Sequence, residues 1–149
     1  MPGTYRADHV GSFLRPDEVK AARASFNDGN LTPERLKEVE DRAVLAALER
    51  QKSIGVDIFT DGEFRRTGFQ KDKVEVGDGF VSTGSPAVVR SWQGAGGKPQ
   101  EQGTRQVVGA KLRQTRRLTC NQTPFVMANA PGPVKVTVPS PSQFPATSL

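Results

Sequence analysis

Two short stretches of this chain set reactive side chains beside glycines. "ADHVGSFLRP", residues 7–16, holds the only histidine, His9, followed by Val10, Gly11 and Ser12. "FTDGEFRR", residues 59–66, packs Asp61, Glu63, Arg65 and Arg66 into six positions. Glycine lets a backbone approach a ligand with no Cβ in the way. A carboxylate such as Glu63, with Asp61 as a second candidate pocket residue, can hold an ammonium group through charge-assisted hydrogen bonds. The backbone N–H groups of the Val10-Gly11-Ser12 turn can hold a carboxylate. Together these suit an amino acid or another small zwitterion. The plainer alternative is also open. An Asp-Gly pair flanked by charges is ordinarily a solvated turn, with Arg65 and Arg66 pairing to Asp61 or Glu63 at the surface. His9 beside Asp8 suits a structural hydrogen bond better than catalysis, because no second catalytic partner can be named.

Both stretches need elements to hold them. The clearest is "LTPERLKEVEDRAVLAALERQKSIGVD". Thr32 suits the N-cap, Pro33 the first helical position, and Glu34 the positive end of the helix dipole. Leu36, Val39, Ala43, Ala47 and Ile54 recur at helical spacing, and Gly55 supplies the stop. This predicts a helix of about 22 residues, roughly 33 Å long. A shorter helix enters at Pro16, carries Val19, Ala22 and Phe26 on one face, and ends at Asp28-Gly29. Strands are expected at about residues 4–7, at "VDIFT" (56–60) and at "VKVTV" (134–138). Between them, residues 77–103 hold seven glycines. "GFVSTGSPAVVRSW" is expected to form a hairpin turning at 83–86, and "GAGGKPQEQG" an exposed loop. "RQVVGAKLRQTRRLT" holds a further extended segment, and "NQTPFVMANA" one or two helical turns capped by Asn121.

Alternating strands and helices place the chain in the α/β class with a parallel sheet. Three or four strands with two or three helices make half of a (β/α)8 barrel, which takes about 200–250 residues. The expected fold is therefore a partial TIM-type barrel, its N-terminal portion only. Residues 1–76 form a strand–helix–helix–strand unit, 77–104 an irregular Gly-rich insertion, and 105–149 a later strand and helix segment. In such barrels the loops at the C-terminal strand ends build the active site, which is where both opening stretches fall.

Composition narrows the functional classes. No apolar run approaches the roughly 18–20 residues of a membrane span, and the N-terminus has no signal-peptide pattern. The single cysteine, Cys120, cannot form an internal disulfide and suits a reducing cytoplasm. One Cys and one His cannot make a Cys/His zinc site by themselves. Charge is uneven: residues 1–101 carry 15 Lys/Arg and all 16 Asp/Glu, while residues 102–149 carry six basic residues and no acid. That asymmetry can mark a polyanion-binding face. Aromatic residues that would stack bases are missing beside "KLRQTRR" (111–117), which argues against nucleic acid.

"RADHVGSFLRP", the helix ending "QKSIGVDIFTDGEFRR", and "VKVTVPSPS" together resemble the cobalamin-independent methionine synthase family, in its short single-barrel branch. The resemblance implies methyl transfer from 5-methyltetrahydrofolate, as the polyglutamate, to a thiol such as homocysteine. No cobalamin is involved; a zinc-bound thiolate is the nucleophile. It also implies that Val10, Gly11, Ser12 and Glu63 contact the amino-acid substrate and that His9 lines the pocket. The family's zinc ligands and catalytic histidine have no counterpart here, so no catalytic or metal-binding residue is assigned. The expectation is an N-terminal fragment that is inactive alone, or that dimerises or meets a complementing second chain to cover an open sheet edge. The alternative is a non-enzymatic module binding nucleic acid or another polyanion through its basic C-terminal third.

Overall fold

Helix α2, Pro33–Ser53, starts where its residues dictate. The Thr32 hydroxyl accepts the Arg35 N–H at 3.4 Å, with Pro33 in the first turn. It ends where Gly55 adopts φ +77°, a conformation open to glycine at no steric penalty. There the Gly55 N–H donates to the Lys52 carbonyl at 3.1 Å and the Val56 N–H to that of Gln51 at 3.3 Å, a Schellman motif. Helix α1, Asp17–Asn27, closes in the same way, with Gly29 bonded to Phe26 and Asn30 to Ser25. Both helices stand as expected.

The computed structural model describes residues 12–66, 77–82, 84, 88–94, 97, 99–104, 106–138 and 140. The expected first strand, at 4–7, lies outside them. The chain divides into two compact units, one from residues 1–67 with 119–137, the other from 68–118 with 138–149.

In the first unit, α1 and α2 pack around Val19, Ala43, Val44, Leu48, Phe59, Phe64 and Val126. The buried face of α2 shares Ala43 with the expected stripe, whose Val39 and Ala47 pack at the edge of the core, and is shifted from it. It runs through Glu40, Ala43, Val44, Leu48 and Gln51, whereas Ile54 is exposed. Two polar residues sit inward because each finds partners there. Gln51 is the clearer case. Its amide nitrogen donates to the Thr60 carbonyl at 2.8 Å and its amide oxygen accepts the Thr60 N–H at 2.9 Å. The side chain thus does for Thr60 what a neighbouring strand would do.

The strand expectations are corrected. Of 56–60 and 134–138, only Phe59 and Val134 make a parallel bridge. The Phe59 N–H donates to Pro133 O, and the Lys135 N–H to Phe59 O, both at 2.8 Å. The pairing does not extend beyond this bridge. Helix α3, Thr123–Asn129, follows Gln122 rather than Asn121 as N-cap and buries Val126.

Among its described residues the second unit holds four strands: β1 Gly77–Ser82, β2 Val88–Gln93, β3 Pro99–Thr104 and β4 Gln106–Gln114. β1 pairs antiparallel with β4, and β2 with β3. The expected hairpin of 79–92 is therefore not formed, since β1 and β2 are not partners. Nor is 94–103 all loop: its second half is β3. Between β2 and β3, Gly97 has φ +70° and donates to the Gly94 carbonyl at 3.1 Å. Gly79, at φ +99°, sits at the irregularity where the β1–β4 register shifts, and a Cβ there would lie 2.9 Å from Lys111 O. The mixed α/β class stands.

Replacing Gln51 with Leu strands both backbone groups of Thr60 without water. Chemical denaturation of Gln51→Leu is expected to show a loss of about 2–4 kcal/mol. A loss below about 1 kcal/mol would mean that Thr60 finds other partners.

Candidate functional site

The segment after Phe59 turns twice in six residues. The Phe64 N–H reaches the Asp61 carbonyl at 3.4 Å, and the Arg66 N–H the Glu63 carbonyl at 3.1 Å. Gly62 has φ +64° and Glu63 φ +57°. A non-glycine residue in that region is uncommon and marks a place where surroundings over-determine the backbone. Here Asp61 helps to do so, because its Oδ1 accepts the Glu63 N–H at 3.0 Å.

Thr60, Asp61, Glu63 and Arg66 are all buried, Glu63 at 5% exposure and Arg66 at 2%. The reading of a solvated turn is thereby overturned, as is surface pairing of its arginines. The physical reason is a set of guanidinium groups that satisfy the turn from within. Arg23 on α1 donates to the carbonyls of Phe64 and Arg66. It is held in turn by buried Glu40 on α2, whose Oε1 accepts from Nε at 3.2 Å and Nη2 at 2.8 Å. Arg15 adds a bond to Arg66 O at 2.9 Å and a longer one to Glu63 O at 3.4 Å. Arg65 points the other way. It pairs with Asp41 of α2, donates to Asn121 O at 2.6 Å, and lies 4.4 Å from the centre of the Phe125 ring.

Arg66 anchors the acid. Its Nε donates to Gln122 Oε1 at 3.0 Å, Nη1 to the Thr137 hydroxyl at 3.2 Å, and Nη2 to Thr137 O at 2.7 Å. Its Nη1 also lies 3.7 Å from Glu63 Oε1. The Thr137 hydroxyl donates to the same Glu63 oxygen. Both contacts fall on Oε1, and among the described residues Oε2 carries none. Asp61 Oδ2 is fully buried without a hydrogen-bond partner, as is the Nε of Arg15. A buried carboxylate oxygen without a donor is unfavourable by about 1–3 kcal/mol or more, and a ligand's N–H groups would relieve it.

The two stretches singled out by composition meet here in part. The Phe13 N–H donates to Gly62 O at 3.1 Å, and the Phe13 and Phe64 rings make an edge contact at 6.4 Å. Ser12, next to Phe13, is exposed; His9, Val10 and Gly11 lie outside the described residues. Asp61 and Glu63 sit together in the turn. Sequence reasoning missed Arg23, Gln122 and Thr137, whose spacing carries no motif. The signal available was Glu40, a charge at a position flanked by core residues on α2. Among the described residues, no three His, Cys, Asp or Glu side chains gather where a metal ion could be held. No described helix is long and apolar enough to cross a membrane.

Gly62 is the steric test of this arrangement. A Cβ there would lie 2.8 Å from a Phe13 ring carbon, whereas one at Gly29, also at positive φ, would meet nothing within 4 Å. Gly62→Ala is expected to lose about 2–4 kcal/mol in urea denaturation, and Gly29→Ala about 1–2 kcal/mol. Equal losses would show that the Phe13 ring does not press on the turn.

Comparison with known proteins adds an independent observation. Residues 5–141 match the family described as cobalamin-independent synthase, catalytic domain. The Bacillus subtilis protein YxjH, itself uncharacterized, is 47% identical over 75 residues, covering 50% of this chain and 20% of YxjH. A 5-methyltetrahydropteroyltriglutamate–homocysteine methyltransferase of Thermodesulfovibrio yellowstonii is 27% identical over 126 residues, covering 85% of this chain and 16% of that enzyme. A Listeria monocytogenes crystal structure, provisionally assigned as a vitamin-B12 independent methionine synthase, aligns with a TM-score of 0.72 and 27% identity. That alignment covers 97% of this chain and 39% of the Listeria chain. The chain thus spans well under half the length of each of these relatives.

Proposed function

This chain belongs to the cobalamin-independent synthase family, within its catalytic domain, and from that premise we propose that it forms part of a site for methyl transfer to an amino-acid thiol. Homocysteine is the acceptor and a methylfolate the donor in this reading, as the names of the methyltransferase relatives suggest. One observation carries it. The Asp61-Gly62-Glu63 turn buries two carboxylates, leaves Asp61 Oδ2 without a donor and, among the described residues, puts the contacts of Glu63 on Oε1.

Such a turn is matched to a cation with several N–H groups. An α-ammonium placed against Glu63 Oε2 makes a charge-assisted hydrogen bond, and burial strengthens the attraction relative to water. The backbone of residues 10–12 would receive the substrate carboxylate, with His9 as pocket wall. Held at both ends of its amino-acid portion, the substrate keeps its thiol in one place, and that fixed placement is the share of catalysis these residues supply.

The zinc ion that the family resemblance implies would, when bound, lower the pKa of the acceptor thiol. The described residues do not fit a zinc ion, and activation of the thiol falls outside what they do. The parallel Phe59–Val134 bridge, with α1 and α2 before it, supports reading the first unit as the opening of a (β/α)8 barrel. The lone Cys120 supports a reducing, cytoplasmic setting.

Calorimetric titration with L-homocysteine or L-methionine tests the reading. Glu63→Gln removes the charge while keeping the shape, and is expected to weaken binding by about tenfold to a hundredfold. Unchanged affinity would remove Glu63 from the substrate site. Binding of a polyanion that falls steeply with salt, with no amino-acid binding, would favour the basic C-terminal third instead.

A further inference from the structure

We propose that Thr137 is a positioning residue for Glu63, its hydroxyl proton directed by Arg66 so that Glu63 presents Oε2 to the substrate. The proposal rests on the reading that Glu63 receives the substrate ammonium. It comes from the direction of the hydrogen bonds. A threonine hydroxyl has one proton to donate and lone pairs to accept with, whereas a guanidinium only donates. Arg66 Nη1 donates to the Thr137 hydroxyl at 3.2 Å. The hydroxyl proton is therefore free to point at the one acceptor on its other side, Glu63 Oε1.

Arg66 can impose that direction because it is itself fixed. Gln122 holds its Nε at 3.0 Å and Thr137 O its Nη2 at 2.7 Å. Its backbone carbonyl is held by Arg15 and Arg23. With Oε1 occupied by the hydroxyl and by the ion pair to Arg66 at 3.7 Å, the carboxylate loses its rotational freedom. An unrestrained glutamate has several rotamers and would have to be ordered at each binding event. Thr137 lies 74 residues from Glu63 in the chain, so the coupling exists only in the folded unit.

Thr137→Val keeps the side-chain shape and removes the donor; Thr137→Ser keeps the donor. Each is compared with the parent chain and with Glu63→Gln for binding of L-homocysteine and of 4-sulfanylbutanoate, which lacks only the amino group. The ratio of the two affinities is the readout. Partial unfolding lowers both affinities by the same fraction and leaves the ratio alone. Thr137→Val is expected to lower the preference for L-homocysteine by about tenfold, and Thr137→Ser to stay within about twofold of the parent. If Glu63→Gln loses the preference while Thr137→Val keeps it, the positioning role is wrong and the substrate reading stands. If Glu63→Gln also keeps it, the substrate reading fails and takes the proposal with it.

Discussion

A turn full of charge is buried at little penalty only where most of its groups are answered from inside the protein. In this chain residues 60–66 go inward, and the first unit is organised around satisfying them. Arg23 and Arg15 cover the carbonyls of Glu63, Phe64 and Arg66, while Arg66 reaches Gln122 and Thr137. Buried ion pairs contribute little net stability, because desolvation opposes the attraction. Removing one partner is another matter, since it leaves the other charged and dry. The network is better seen as a device for specifying one geometry than as a source of stability.

Helix α2 supports this arrangement with residues that a hydrophobic pattern would leave on the outside. Glu40 steadies Arg23, Asp41 holds both Lys37 and Arg65, and Gln51 stands in for a strand beside Thr60. One helix therefore meets the turn at several points along its length. Its apolar residues, Ala43, Val44 and Leu48, supply the core between them. The shift of the buried face away from Ile54 follows directly: the polar contacts choose the face, and the apolar residues next to them are buried with it.

The buried turn lies within the residues that match the cobalamin-independent synthase family. The turn carries a buried acceptor without a donor, Asp61 Oδ2, with the unpartnered Nε of Arg15 on a side chain that bonds the same turn. In the proposed reading, Glu63 and Asp61 hold the ammonium of an amino acid. Family membership extends over residues 5–141 and so includes the β1–β4 ribbon.

Much of this was legible in the residues alone. Thr32-Pro33, Gly29 and Gly55 act through local sterics and neighbouring hydrogen bonds, so both helices could be drawn to within a residue or two. The Asp61-Gly62-Glu63 cluster stood out because its composition is unusual over a few positions. What stayed hidden depended on partners far away in sequence. Whether the turn faced water or core turned on Arg23, Gln122 and Thr137, none of which carries a local signal. The runs at 56–60 and 134–138 looked like full strands because β-branched residues favour extension, but extension becomes a ladder only where a neighbour is free to pair. The strand partners of 77–114 escaped for the same reason. Backbone conformation is a local preference and can be read along the chain; burial of charge and choice of hydrogen-bond partner are settled only when the chain has folded back on itself.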